Sequence, residues 1–191
     1  NPQYANAYYN RGSVKDDLGD YQGAIVDYGK AIEINPQNLS FYYNRASAKR
    51  ELEDYQGAIA DYIKAIETNP NNSIAYYNRG VAKSESGDYQ GAITDYGKAL
   101  EINPQYADAY YNRGVAKSEL GDYQGAISDY TKAVEINPQY VYAYYNRGIA
   151  KGDLKDYQGA ISDYSKAIAI NPQDADAYSL RGFAKDDLKD Y

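Results

Sequence analysis

Asn-Pro recurs every 34 residues along this chain, at Asn1-Pro2, Asn35-Pro36, Asn69-Pro70, Asn103-Pro104, Asn137-Pro138 and Asn171-Pro172. A fixed period of that length means that one supersecondary unit is copied. Each copy buries its apolar face against the next, so the core runs along a stack instead of closing on itself. The 191-residue length, which would otherwise suit one or two ordinary domains, therefore says little about architecture. Function has to be sought in side chains that recur at one place in every copy.

With Asn-Pro set at positions 31 and 32, residues 1–4 read as the tail of a preceding unit. Five full repeats follow, 5–38, 39–72, 73–106, 107–140 and 141–174, and 175–191 is the first half of a sixth. The second half of the fourth repeat carries Tyr123, Ala126, Ile127, Tyr130, Ala133 and Val134 at spacings of three and four. That spacing is one apolar stripe of a helix. Asp122 precedes it as an N-cap, and Asn137-Pro138 ends it, because a residue before proline is pushed out of the α region. The first half, Ala107 to Leu120, has the same periodicity. Tyr110, Gly114 and Ala116 form its packing side with Leu120 at the end, and Gly121-Asp122 makes the tight turn. Gly114 is expected to let the two helix backbones approach closely.

Tyr at position 4, Gly at 8, Ala at 20, Tyr at 24, Ala at 27 and Pro at 32 resemble the tetratricopeptide repeat, and the resemblance covers the whole chain. It implies an all-α fold: antiparallel helix pairs stacked in a right-handed superhelical solenoid. The first helices would line a concave groove and the second helices the convex side. It also implies a protein or peptide partner. The chain departs from the family pattern at position 7, usually Leu but here Arg11, Arg45, Arg79, Arg113, Arg147 and Arg181. Position 11 is Lys throughout, from Lys15 to Lys185. These look like a bacterial subtype.

Arg and Lys four residues apart on one helix repel each other mildly. Position 23 is Asp in every full repeat, Asp27, Asp61, Asp95, Asp129 and Asp163, so an ion pair from Arg to Asp across the helix interface is expected. The alternative is a cationic track for phosphates or an acidic peptide, which requires free guanidinium groups in the groove.

A second stripe on the first helix, at positions 2, 5, 6, 9, 12 and 13, is the one that faces the groove in this family. Position 5 is Tyr9, Tyr43, Tyr77, Tyr111 and Tyr145; position 6 is Asn10, Asn44, Asn78, Asn112 and Asn146. A carboxamide offers two donors and an acceptor, so a row of them matches the repeating main chain of an extended peptide. The neighbouring Tyr rings add flat amphipathic contact. The same residues could instead bond and wedge adjacent repeats together, and the two roles are compatible. Position 9 runs from Ser13 and Ser47 to Ile149 and Phe183, more apolar toward the C-terminus, and position 2 varies with Tyr142 as a candidate anchor; neutral drift at tolerant positions is the alternative. The family's carboxylate clamp for chaperone tails is not carried over, because only its Asn at position 6 is present.

Without Cys or His the chain lacks thiolate chemistry and the commonest general base and metal ligand. No phosphate loop or nucleophile motif appears, so no enzyme activity and no cofactor are expected. A net charge of −7 disfavours nucleic acid, and no apolar run is long enough to span a bilayer. The compartment is left open, with a soluble cytoplasmic protein as the default. End-to-end self-association through terminal helices is the competing expectation, since repeat arrays expose apolar ends.

Overall fold

The computed structural model describes residues 2–189, which contain eleven α-helices and no strand. One compact unit, Asn1–Ile102, holds α1 (Pro2–Asp17), α2 (Tyr21–Ile34), α3 (Leu39–Glu51), α4 (Tyr55–Thr68), α5 (Ser73–Glu85) and α6 (Tyr89–Ile102). The other, Asn103–Tyr191, holds α7 (Ala107–Glu119), α8 (Tyr123–Ile136), α9 (Val141–Asp153), α10 (Tyr157–Ile170) and α11 (Ala175–Lys189). Within each unit consecutive helices pack on one another, and the first helices of neighbouring repeats touch, α1 on α3 and α7 on α9. This is an all-α helical-repeat solenoid.

The cap and stop signals act as the sequence predicts. The carboxylates of Asp20, Asp54, Asp122 and Asp156 accept from the backbone N–H three residues on, at 2.9 Å, opening α2, α4, α8 and α10. Asn35, Asn69, Asn137 and Asn171 close the same helices in extended or intermediate conformations ahead of proline. At the first copy the motif behaves differently. Pro2 opens α1, which runs on through residues 2–4 into the first repeat. Proline is well tolerated in a first turn, where its missing N–H would have no partner anyway.

Each helix pair is antiparallel, because position 11 of the first helix meets position 23 of the second and position 8 lies against position 24. Gly121, at φ +79°, makes the turn between α7 and α8, and Asp122 N–H reaches back to the Lys117 carbonyl at 2.9 Å. Leu120 is a C-cap and half exposed, so it does not finish the packing side as its position predicts. Gly12, Gly80, Gly114 and Gly148 admit an aromatic ring, not a second backbone. A Cβ on any of them would come within 2.7–2.8 Å of the ring of Tyr28, Tyr96, Tyr130 or Tyr164. Those four rings are buried; Tyr28, Tyr130 and Tyr164 pack with Ala24, Ala126 and Ala160 of their own helices and with Ala48, Ala150 and Ala184 of the next repeat. The core of these four repeats is thus a tyrosine laid on a glycine and sealed by small side chains, and in the second repeat Ala46 takes the glycine's place in the cluster with Tyr62.

Candidate functional site

The ion-pair ladder comes first, because it decides which charges remain for a ligand. Arg11, Arg45, Arg79, Arg113 and Arg147 each donate in fork geometry to Asp27, Asp61, Asp95, Asp129 and Asp163, with Nε to Oδ2 at 2.7–2.9 Å. The position-11 lysines complete the set: Lys15, Lys49, Lys83, Lys117 and Lys151 lie 2.7–2.9 Å from the same carboxylates. One buried Asp therefore serves two cations, a second leg that the sequence reading did not assign. Each of these arginines also stands over the Tyr ring at position 4 of its own helix, 5.4–5.9 Å from the centroid. Hydrogen bonds from Arg11 hold the Asp27 carboxyl down to about 2, against the opposing effect of burial. These cations are committed to structure, which removes the basis for a phosphate or acidic-peptide track.

The Tyr row at position 5 is half-buried. Tyr9, Tyr43, Tyr77, Tyr111 and Tyr145 each pack on the position-24 tyrosine of their own repeat, with ring centroids 5.8–6.2 Å apart. Tyr9 also meets Phe41 of the next repeat, and Tyr111 meets Tyr140, the residue that caps α9. The Asn row completes the link. Asn44 Nδ2 donates to the Tyr9 hydroxyl and Asn146 Nδ2 to the Tyr111 hydroxyl, both at 3.0 Å. A neutral bond of this kind contributes about 1 kcal/mol. Such a bond needs only one of a carboxamide's two amide hydrogens and none of its acceptor capacity; at Asn44 the amide also donates toward the Tyr28 hydroxyl. Burial pushes the Tyr111 hydroxyl pKa up, so that group stays protonated while it accepts from Asn146.

Two residues stand apart from this pattern. Asn10, in the first helix, is exposed. The Tyr43 hydroxyl is buried without a hydrogen-bond partner, so the equivalent rung from Asn78 is not made. Asn78 and Asn112 are half-buried, like Asn44 and Asn146. Tyr142 projects, 65 % exposed, and lines none of the cavities described below.

Between α7 and α9 lies a cavity of about 180 Å³ lined by Val115, Ser118, Glu119, Tyr130, Asn146 and Ile149. Five of these six belong to the stripe at positions 6, 9, 12 and 13, so Asn146 and the position-9 residues share one recess. In the first unit the corresponding edge is bridged: Arg50 of α3 donates in fork geometry to Glu85 of α5, Nε to Oε2 at 2.8 Å. Sequence reading missed that strap, because Arg occupies position 12 only once. Among the described residues there is no three-member His/Cys/Asp/Glu cluster placed to hold a metal, and no helix is long and apolar enough to cross a membrane.

Family models agree with this architecture. A tetratricopeptide repeat model matches residues 5–38, 107–140 and 141–174, and further models of the same repeat match 46–87, 83–121 and 28–60. No curated protein sequence matches the chain significantly. Among solved structures, a MamA protein is 27% identical, with a TM-score of 0.81 over 91% of this chain and 95% of that one. A tetratricopeptide repeat protein from Parabacteroides merdae is 24% identical, with a TM-score of 0.85 over 98% of this chain and 74% of that one. YrrB, described as a TPR protein with an unusual peptide-binding site, is 23% identical, with a TM-score of 0.75 over 94% and 90%. The chain belongs to the tetratricopeptide repeat family, whose arrays generally act as scaffolds for protein–protein interaction and not as enzymes.

Proposed function

We propose that the first helices form a peptide-binding face on which an extended partner segment is held through the Tyr and Asn rows. The segment's main chain meets Asn10, Asn44, Asn78, Asn112 and Asn146, and its side chains lie against Tyr9, Tyr43, Tyr77, Tyr111 and Tyr145. Tyr142 adds a projecting contact beside them. One observation carries this reading. The Asn146 amide links two repeats with one N–H and still opens on a recess beside Val115 and Ile149. A side chain that only tied repeats together would have no need of a recess beside it.

The test uses a phage-displayed library of random twelve-residue peptides selected against the whole chain. The best isolated peptide is then titrated by fluorescence anisotropy. Asn78→Ala should weaken it about tenfold or more, the scale of one lost hydrogen bond with its partner left unpaired. Helicity should not change, because Asn78 makes no rung to Tyr43. Unchanged affinity sinks the ladder.

A second reading is end-to-end assembly. It draws on Tyr4 of α1 and Tyr178, Phe183 and Leu188 of α11, which are 39–64% exposed. Sedimentation that stays monomeric across concentration, with Tyr178→Ala without effect, rejects it.

A further inference from the structure

The recess between α7 and α9 has a counterpart one repeat on, between α9 and α11, and there its chemistry changes. The cavity is larger, about 270 Å³ against about 180 Å³. Leu180 stands where Asn146 stood, and Phe183 stands where Ile149 stood. Gly152 takes the place of Ser118, and a Cβ built on Gly152 would have nothing within 4 Å. Neither a turn nor a close contact calls for glycine there; it simply leaves the cavity open. Phe183 is 63% exposed and Ile149 37%. Asp153 and Asp187 line the same cavity, and among the described residues neither forms an ion pair. The nearby cation Lys151 is already committed to Asp163.

We propose that this cavity takes one aliphatic or aromatic side chain of a lysine- or arginine-bearing peptide. The apolar floor of Ile149, Leu180 and Phe183 receives the side chain, and the two carboxylates meet flanking cations. The proposal rests on the reading of the first helices as a peptide-binding face, and it names the class of peptide. Charge complementarity selects the occupant: an acidic segment is repelled by Asp153 and Asp187, whereas basic flanks are attracted and steered. An apolar anchor in a recess with a charged rim is the arrangement that concentrates binding energy in few residues.

The experiment uses the whole chain with labelled isoleucine and leucine methyl groups. Three fluorescein-tagged synthetic peptides serve as probes: a leucine between two pairs of lysines, the same peptide with glycine for leucine, and the same with glutamates for lysines. The first should move the Ile149 and Leu180 methyl signals. The other two should bind about tenfold more weakly or worse, the scale of one lost apolar anchor. Added salt should weaken the first peptide further. Gly152→Leu should fill the cavity and cost at least a similar factor while keeping the helical spectrum; Phe183→Ala is a second, independent variant. Equal binding of the glycine peptide overturns the proposal, as does a Gly152→Leu chain that binds as before. Methyl shifts that follow protein concentration alone show a second copy filling the cavity and also overturn it. A peptide that moves the Asn112 and Asn146 amide signals but not Ile149 or Leu180 overturns the cavity assignment and leaves the peptide-binding face intact. Methyl shifts that survive Asn146→Ala unchanged uphold the cavity and reject the Asn ladder.

Discussion

Replacing Asp129 by asparagine tests the ion-pair ladder at one of its enclosed rungs. Its carboxylate is 4% exposed and receives Arg113 at 2.6 and 2.9 Å and Lys117 at 2.8 Å. The amide keeps the volume but removes the charge, so two cations four residues apart lose their shared counter-ion. Removing one partner of a fully buried pair costs about 3–5 kcal/mol, whereas a surface pair is worth about 0–1 kcal/mol. Arg113 and Lys117 remain 22% and 21% exposed, which places the loss near the lower end of the buried range, about 3 kcal/mol. The loss should be local, because repeats couple mainly to their neighbours. Urea denaturation followed by circular dichroism reads the total, and hydrogen exchange should show α7 and α8 opening first. Asp27→Asn provides the internal control. Its partner Arg11 is 57% exposed, so water takes over part of the carboxylate's role and the loss must be clearly smaller. Putting Leu at position 113 together with Asp129→Ala should recover much of the stability, since an apolar pair can replace a buried ionic one. Equal losses at Asp27 and Asp129, or a loss under about 1 kcal/mol at Asp129, would refute the reasoning.

Further outcomes follow from the same geometry. The Asp27 pKa is held to about 2 in the fold, below its unfolded value near 3.9, so its contribution is complete above pH 4 and is lost as pH falls toward 2. Urea midpoints between pH 5 and 2 should fall less steeply in Asp27→Asn. Lys155 holds φ at +62° where three other repeats have glycine at the same turn, so Lys155→Gly should raise stability by about 1 kcal/mol in the same assay. Gly114→Ala gains up to about 1 kcal/mol of helix propensity but sets a methyl 2.7 Å from the Tyr130 ring. Overpacking of that kind costs about 1–3 kcal/mol, so the melting temperature should drop.

The period alone was enough to place the helices, because capping Asp and stopping Asn-Pro are local signals that act within one turn. It also pointed to the Arg–Asp pair, since both members recur in register. What it did not reveal depended on three-dimensional neighbours. The second cation on each Asp comes from Lys at position 11, whose reach to position 23 is set by helix spacing. The glycine at position 8 was read as a backbone contact, yet the ring that needs it sits sixteen residues on in the facing helix. At position 19 every full repeat has a glycine, which inside a helix ordinarily costs up to about 1 kcal/mol relative to alanine. In the fold, a Cβ there would lie 2.0–2.1 Å from an oxygen of the capping Asp, so the cap and the glycine act together. At the candidate site, the Tyr and Asn rows were identifiable by recurrence. The Arg50–Glu85 strap and the opening at Gly152 were not, because each occurs once, and a method that searches for repetition passes over singular residues.

The central claim is that the Asn row offers hydrogen bonds to a ligand, including at Asn146, which also ties two repeats together. It is tested most directly by the side-chain amide NMR signals of Asn78, Asn112 and Asn146 during titration of the library-selected peptide. The account predicts that these signals shift together, with the saturation curve of binding itself. A peptide that binds to saturation while all three stay in place would contradict it.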